Sequence, residues 1–210
     1  MKYLHEKLTN NSLKERISFT IILFLIMFLG VMIASYYLLP EGLLKNKNPM
    51  QSWETSGNNF ILTLQIFLYN MLSVLVIIFG SLFGQKKDGE TNYLSFGYLA
   101  FFALICINGV VLGTWSFSVA SEPVPLLDRI IRTFDLIHRA GLWEMMGQLL
   151  ITCSTAHIAI IQTSGKSTAT RKTKEIHLAK PEKIALMIGF VLMLIGAVVE
   201  SIAINAMKIT

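Results

Sequence analysis

Five apolar runs, each about as long as a membrane is thick, alternate along the chain with short polar stretches, and the pattern predicts an all-α polytopic helix bundle. About 20 apolar residues, rising 1.5 Å each, cross a hydrocarbon core roughly 30 Å thick. The runs fall near residues 17–39, 59–84, 93–119, 142–162 and 183–207 and are read as five transmembrane helices. Residues 1–16 form a separate cytoplasmic amphipathic segment, and 17–210 form a single bundle domain. The first run follows Lys2, Lys7, Lys14 and Arg16 and ends in Tyr36, Tyr37 and Pro40 instead of a small-residue cleavage site, so it is expected to be a retained anchor.

Between the third and fourth runs a different period appears. Leu126, Leu127, Ile130, Phe134 and Ile137 share one helical face, and Asp128, Arg129, Arg132, Asp135 and Arg139 the other. Residues 123–139 are therefore expected to lie as an amphipathic helix on the outer interface, or to re-enter the membrane with a break at Gly141. Both geometries bring His138 and Arg139 near Glu144. At the other surface, Tyr3, Leu4, Leu8 and Leu13 suit a short interfacial helix that touches a soluble partner, and the Ser-, Thr- and Lys-rich residues 164–183 a solvated loop.

Composition agrees with a membrane chain: 53% of the 210 residues are hydrophobic, 15% are charged, and mean hydropathy is +0.58. Charge then orients it. Twelve Lys and Arg residues (Lys2, Lys7, Lys14, Arg16, Lys86, Lys87, Lys166, Arg171, Lys172, Lys174, Lys180, Lys183) fall on one side of the five runs. Six (Lys45, Lys47, Arg129, Arg132, Arg139, Lys208) fall on the other, which predicts a cytoplasmic N-terminus and an outer C-terminus. Basic cytoplasmic flanks account for the net charge of +5 without a nucleic-acid partner.

Four polar side chains interrupt the apolar runs: Asn70, Asn108, Glu144 and Glu200. A carboxyl in hydrocarbon costs several kcal/mol, so such groups mark a functional site or a strong helix contact. Helical rise puts both asparagines near mid-depth, about 16 Å below the outer ends of their runs, and both glutamates in the outer third. Gly196, Ala197, Ala203 and Ile204 flank Glu200 on its face, so it points at protein. Gly141, Gly147, Gln148, Thr152 and Thr155 share the face of Glu144 and extend a polar seam. Gly80 with Gly84, and Gly109 with Gly113, fit the GxxxG spacing of close helix packing.

Catalytic signatures are missing: the sequence has no HExxH, GxSxG, Walker or EF-hand pattern, and no metal or cofactor is expected. His138 or His157 with Glu144 is a loose acid/base or metal pattern, weighed against structural hydrogen bonding. Cys106 and Cys153 fall inside apolar runs and read as small core residues.

Phe67, Asn70, Gly80 and Gly84, then Asn108-Gly109 with Gly113, Ala-Gly-Leu-Trp-Glu at 140–144 and Ala197-Val-Val-Glu-Ser-Ile together resemble the stage II sporulation protein M family. Family members usually carry a histidine directly before the glycine of the first glutamate motif; here that position is Ala140, with His138 two residues earlier. The resemblance implies a multi-pass protein of the bacterial plasma membrane. One branch of the family anchors cell-wall remodelling partners during endospore engulfment. Another is encoded beside circular bacteriocins, often with an ATP-binding protein, and is associated with maturation, secretion or immunity. The implied roles are a permease-like subunit, partnered by an ATP-binding protein and a hydrophobic peptide, or a non-catalytic scaffold; an intramembrane enzyme using Glu144 and His138 is the third. A homo-oligomer is compatible with each.

Overall fold

In the computed structural model, residues 2–45, 47, 56–86, 90, 92–116, 123, 125–136 and 141–208 are described. A short helix α1 (Lys2–Leu8) leads into α2 (Leu13–Leu38), followed by α3 (Asn59–Ser81), strand β1 (Phe83–Lys86), strand β2 (Leu94–Ser95) and α4 (Phe96–Gly113). The chain continues as α5 (Leu126–Leu136), α6 (Leu142–Ser154), β3 (Ile161–Ser164), β4 (Ser167–Thr170) and α7 (Lys180–Lys208). Among the described residues α2, α3, α4 and α7 are long and apolar enough to cross a membrane. The all-α polytopic architecture is therefore present, with one run built differently from the expectation.

That run is 142–162. Its helix stops at Ser154, and the last residues enter β3 instead of completing a crossing. Thirteen residues rise only about 20 Å, too little for a bilayer. Its apolar composition persists to Ile161, which is why hydropathy alone extends it. Two neighbouring runs are shortened as well: α3 ends at Ser81, placing Gly84 in β1, and α4 ends at Gly113. Residues 117–119, 137–140 and 209–210 lie outside the described part, so the ends assigned to those stretches are not tested.

The strands form a sheet in the order β2-β1-β3-β4 at the end of the bundle where α3 and α6 finish. β1 pairs in parallel with β3, Phe83 opposite Ile161 and Lys86 opposite Ser164, while the two outer pairings are antiparallel. A parallel pair that continues two helices requires those helices to run the same way. Gly84 explains the tight join, since a Cβ there would lie 3.0 Å from Ala159 Cβ and 3.1 Å from Tyr93 Cβ.

Aromatic and aliphatic side chains of α2, α3, α4 and α6 make the core: Phe24, Phe28, Met32, Ile77, Phe101, Ile105 and Leu149 are buried. Apolar residues exposed on the outer faces, among them Ile26, Leu68, Leu99 and Val191, present the surface that lipid requires. Gly109 and Gly113 lie where α4 crosses α2. A Cβ on Gly113 would strike the carbonyl oxygen of Met32 and come 2.8 Å from Ser35 Cβ, backbone and near-backbone atoms that cannot swing away. Gly113→Ala is therefore expected to destabilise the bundle by about 1–3 kcal/mol. Thermal denaturation in mild detergent checks it, with Gly30→Ala, which meets nothing within 4 Å, showing no loss.

Candidate functional site: a polar seam through the bundle

Asn70 stands eleven residues from Asn59 at one end of α3 and eleven from Ser81 at the other, at the mid-depth of its helix. Its side-chain amide donates a hydrogen bond to the Glu144 carboxylate. Eleven residues further along both helices, the hydroxyls of Ser81 and Thr155 meet at 3.0 Å. Equal separations on α3 and α6 confirm that the two helices run parallel and in register. Because Glu144 lies in the first turn of α6, this half-length helix starts near the bundle's mid-depth, deeper than the outer third expected from the sequence.

Glu200 of α7 completes the group, its carboxyl facing that of Glu144. Small residues let α6 and α7 approach: a Cβ on Gly147 would lie 2.5 Å from Met193 Cγ and 2.7 Å from the Gly189 carbonyl. Gly196 and Ala197 are buried beside Glu200's turn.

The seam continues in both directions. Toward the far end, Thr63 of α3 bonds Ser201 of α7 at 2.7 Å, and Asn205 donates to Asn59. Toward the sheet, Gln148 and Thr152 occupy the next two turns of α6; both are buried, and Thr152 Oγ1 donates to the Gln148 carbonyl at 2.7 Å. Gln148 Oε1 has no hydrogen-bond partner among the described residues.

Asn108 does not join this set. It is exposed on α4, and since α4 ends at Gly113 it stands five residues, about 8 Å, from that end instead of at mid-depth. His138 and Arg139 lie outside the described residues. A Cβ on Gly80 would meet Phe96 and Gly97 backbone atoms at 3.2–3.3 Å, so Gly80 serves the α3–α4 crossing. Among the described residues no group of three His, Cys, Asp or Glu side chains is placed to hold a metal ion.

Two buried arginines were missed by the sequence reading. Arg16, wholly buried at the foot of α2, bonds Glu182 of α7 at 2.5 Å, the Asn10 carbonyl at 2.6 Å and His157 Nδ1 at 3.3 Å. Since the guanidinium can only donate, Nδ1 accepts and Nε2–H is left to donate to the Thr9 carbonyl, 3.3 Å away. Burial and then the Arg16 charge hold the His157 pKa below its ordinary value, in keeping with this neutral tautomer. An open polar hollow beside it is lined by Asn11, Asn92, Tyr93, His157, Gln162 and Arg171. A signal for Arg16 does exist in the sequence: it begins the i, i+4 stripe Arg16, Thr20, Phe24, Phe28 and Met32 that α2 buries.

At the opposite face Arg129 of α5 caps the end of α4. It donates to the Gly113 carbonyl at 2.5 Å, pairs with Glu41, and packs its guanidinium 4.7 Å from the Tyr36 ring and 5.5 Å from the Trp115 ring. Trp115 sits there at φ 53°, a left-handed conformation that costs a side-chain-bearing residue about 1–2 kcal/mol. Arg129, assigned by periodicity to the polar outer face of the amphipathic helix, is thus turned inward. Leu127 and Ile131 are exposed on α5, together with Asp128.

The sequence profile of stage II sporulation protein M matches residues 19–203, which spans α2 to α7 and takes in every residue of the seam except Asn205. The chain belongs to the stage II sporulation protein M family. It is a family member whose apolar helices make it a membrane protein. No curated protein and no solved structure matches it.

Proposed function

We propose that this member of the family is a permease-like subunit of the bacterial cell membrane, working with a separate ATP-binding protein in the export, maturation or immunity of a hydrophobic, bacteriocin-type peptide. The observation that carries the reading is Glu144 in the first turn of a helix that begins at the bundle's mid-depth, hydrogen-bonded to Asn70 of α3. Transporters commonly build substrate sites at mid-membrane from such discontinuous helices, whose free N-terminal amides and polar side chains receive the ligand. The excess of positive charge at that end supports a cytoplasmic α1 and sheet. There Tyr3 and Leu4 stay exposed on α1 while Leu8 is buried, a surface suited to a soluble ATP-binding partner.

A second reading, a non-catalytic scaffold that recruits cell-wall remodelling enzymes, is favoured by the closed Asn70–Glu144–Glu200 linkage. Purification of the tagged protein from its native membrane in mild detergent, followed by mass spectrometry, separates the two. An ATP-binding subunit, or a small hydrophobic peptide, is the expected companion, and deleting residues 2–8 should release the former. Cell-wall hydrolases in its place would sink the permease reading.

A further inference from the structure

Polar side chains on α3 recur at 59, 63, 70 and 81, spacings of four, seven and eleven residues, so all four project from one side of the helix over roughly 33 Å. Each meets a polar group on another helix: Asn205, Ser201, Glu144 and Thr155 in turn. Glu200 spans the interval above Glu144, and Gln148 and Thr152 fill the interval below it. Past Thr155 the chain leads within two residues to His157 and the polar hollow. A column of oxygen- and nitrogen-bearing side chains thus runs along a bundle whose outer surface is apolar. Hydroxyl and amide groups that only locked helices together would be expected to end up fully paired, yet the buried Gln148 Oε1, on the same face one turn from Glu144, is left open.

We propose that this column is a proton path across the membrane, with the Glu144–Glu200 pair as its central station. A proton from water at the far face adds to a carboxylate oxygen of Glu200 and passes from there to a carboxylate oxygen of Glu144. Glu144 then releases a proton toward Gln148 and Thr152, through water, to the His157 hollow. One proton enters, one leaves, and nothing is oxidised or reduced. Glu200 is the charged group facing Glu144, and Asn70 faces it as an amide. The other titratable groups on the packed helices are Tyr69 of α3, Cys153 of α6, Tyr98 and Cys106 of α4, Lys14, Glu15, Arg16, Tyr36 and Tyr37 of α2, and Lys180, Glu182, Lys183 and Lys208 of α7; of these Glu182 and Arg16 stand at the His157 end of the column. The inference stands apart from the peptide reading, since it needs neither peptide nor ATP-binding partner.

The test reconstitutes the full chain alone into phosphatidylcholine–phosphatidylglycerol vesicles holding a trapped pH dye, with a potassium-valinomycin potential as the driving force. Protein-dependent proton entry is expected, lost to the level of empty vesicles in Glu144→Gln and Gln148→Leu, and unchanged in Leu99→Ala on the exposed side of α4. Intact protein that conducts no faster than empty vesicles overturns the proposal, as does Glu144→Gln conducting like the parent. Should Glu144→Gln not fold, Gln148→Leu, which leaves the acid pair in place, decides in the same way.

Discussion

Arg16→Met is expected to be the most damaging single change in the protein, lowering stability by about 3–5 kcal/mol in mild detergent. The guanidinium is fully buried and joins three segments: the α1–α2 turn through Asn10, α7 through Glu182, and the segment after α6 through His157. Methionine keeps the apolar stem but leaves the Glu182 carboxylate, itself 7% exposed, as an uncompensated buried charge. That charge, more than the lost attraction, sets the cost. The double variant Arg16→Met/Glu182→Met removes both charges and should recover most of the loss, because a buried pair replaced by apolar groups is often neutral. Chemical denaturation of the single and double variants in one detergent gives the coupling directly. Equal stability of Arg16→Met and the parent would mean that the pair is not closed in the membrane.

Glu144→Leu ranks second. It orphans the Asn70 amide on one side and the Glu200 carboxyl on the other, each a buried polar group left without its partner at about 1–3 kcal/mol. Glu144→Gln should cost far less, since its oxygen still accepts from Asn70 and its amide can donate to Glu200. Thermal unfolding followed by monodispersity in detergent distinguishes them. If leucine and glutamine proved equally tolerated, the hydrogen bonds at Glu144 would contribute nothing to holding α3, α6 and α7 together.

Helix type and order were legible in the sequence because lipid forces an unambiguous pattern on α2, α3, α4 and α7. The failure at 142–162 has a physical cause: hydropathy counts apolar residues and is blind to where their backbone stops being helical. The chain after Ser154 keeps its apolar composition while its backbone bonds go to the Leu82 carbonyl and to β1, a partner 79 residues earlier that no local window contains. Of the seam, Glu144, Gln148 and Glu200 could be placed on inward faces from their small neighbours. Asn108 could not be told from Asn70 by that argument, since each is a lone amide in an apolar run; only the packing of α4 shows one exposed and the other bonded. Thr63, Ser201 and Ser81 went unnoticed because single hydroxyls are common in membrane helices and become a column only once three helices are aligned.

The parallel pairing of β1 with β3 has a mechanical meaning for that alignment. It continues α3 and α6 outside the bundle and ties their ends residue to residue, Phe83 to Ile161 through Lys86 to Ser164. Were α6 to slide one turn along α3, about 5.4 Å, Glu144 would face Ile66 or Val74, and Thr155 would leave Ser81 in the same movement. Either one-turn offset breaks both contacts at once, so the two helices behave like a key seated in one notch. The small sheet at the membrane surface is the catch that keeps it there.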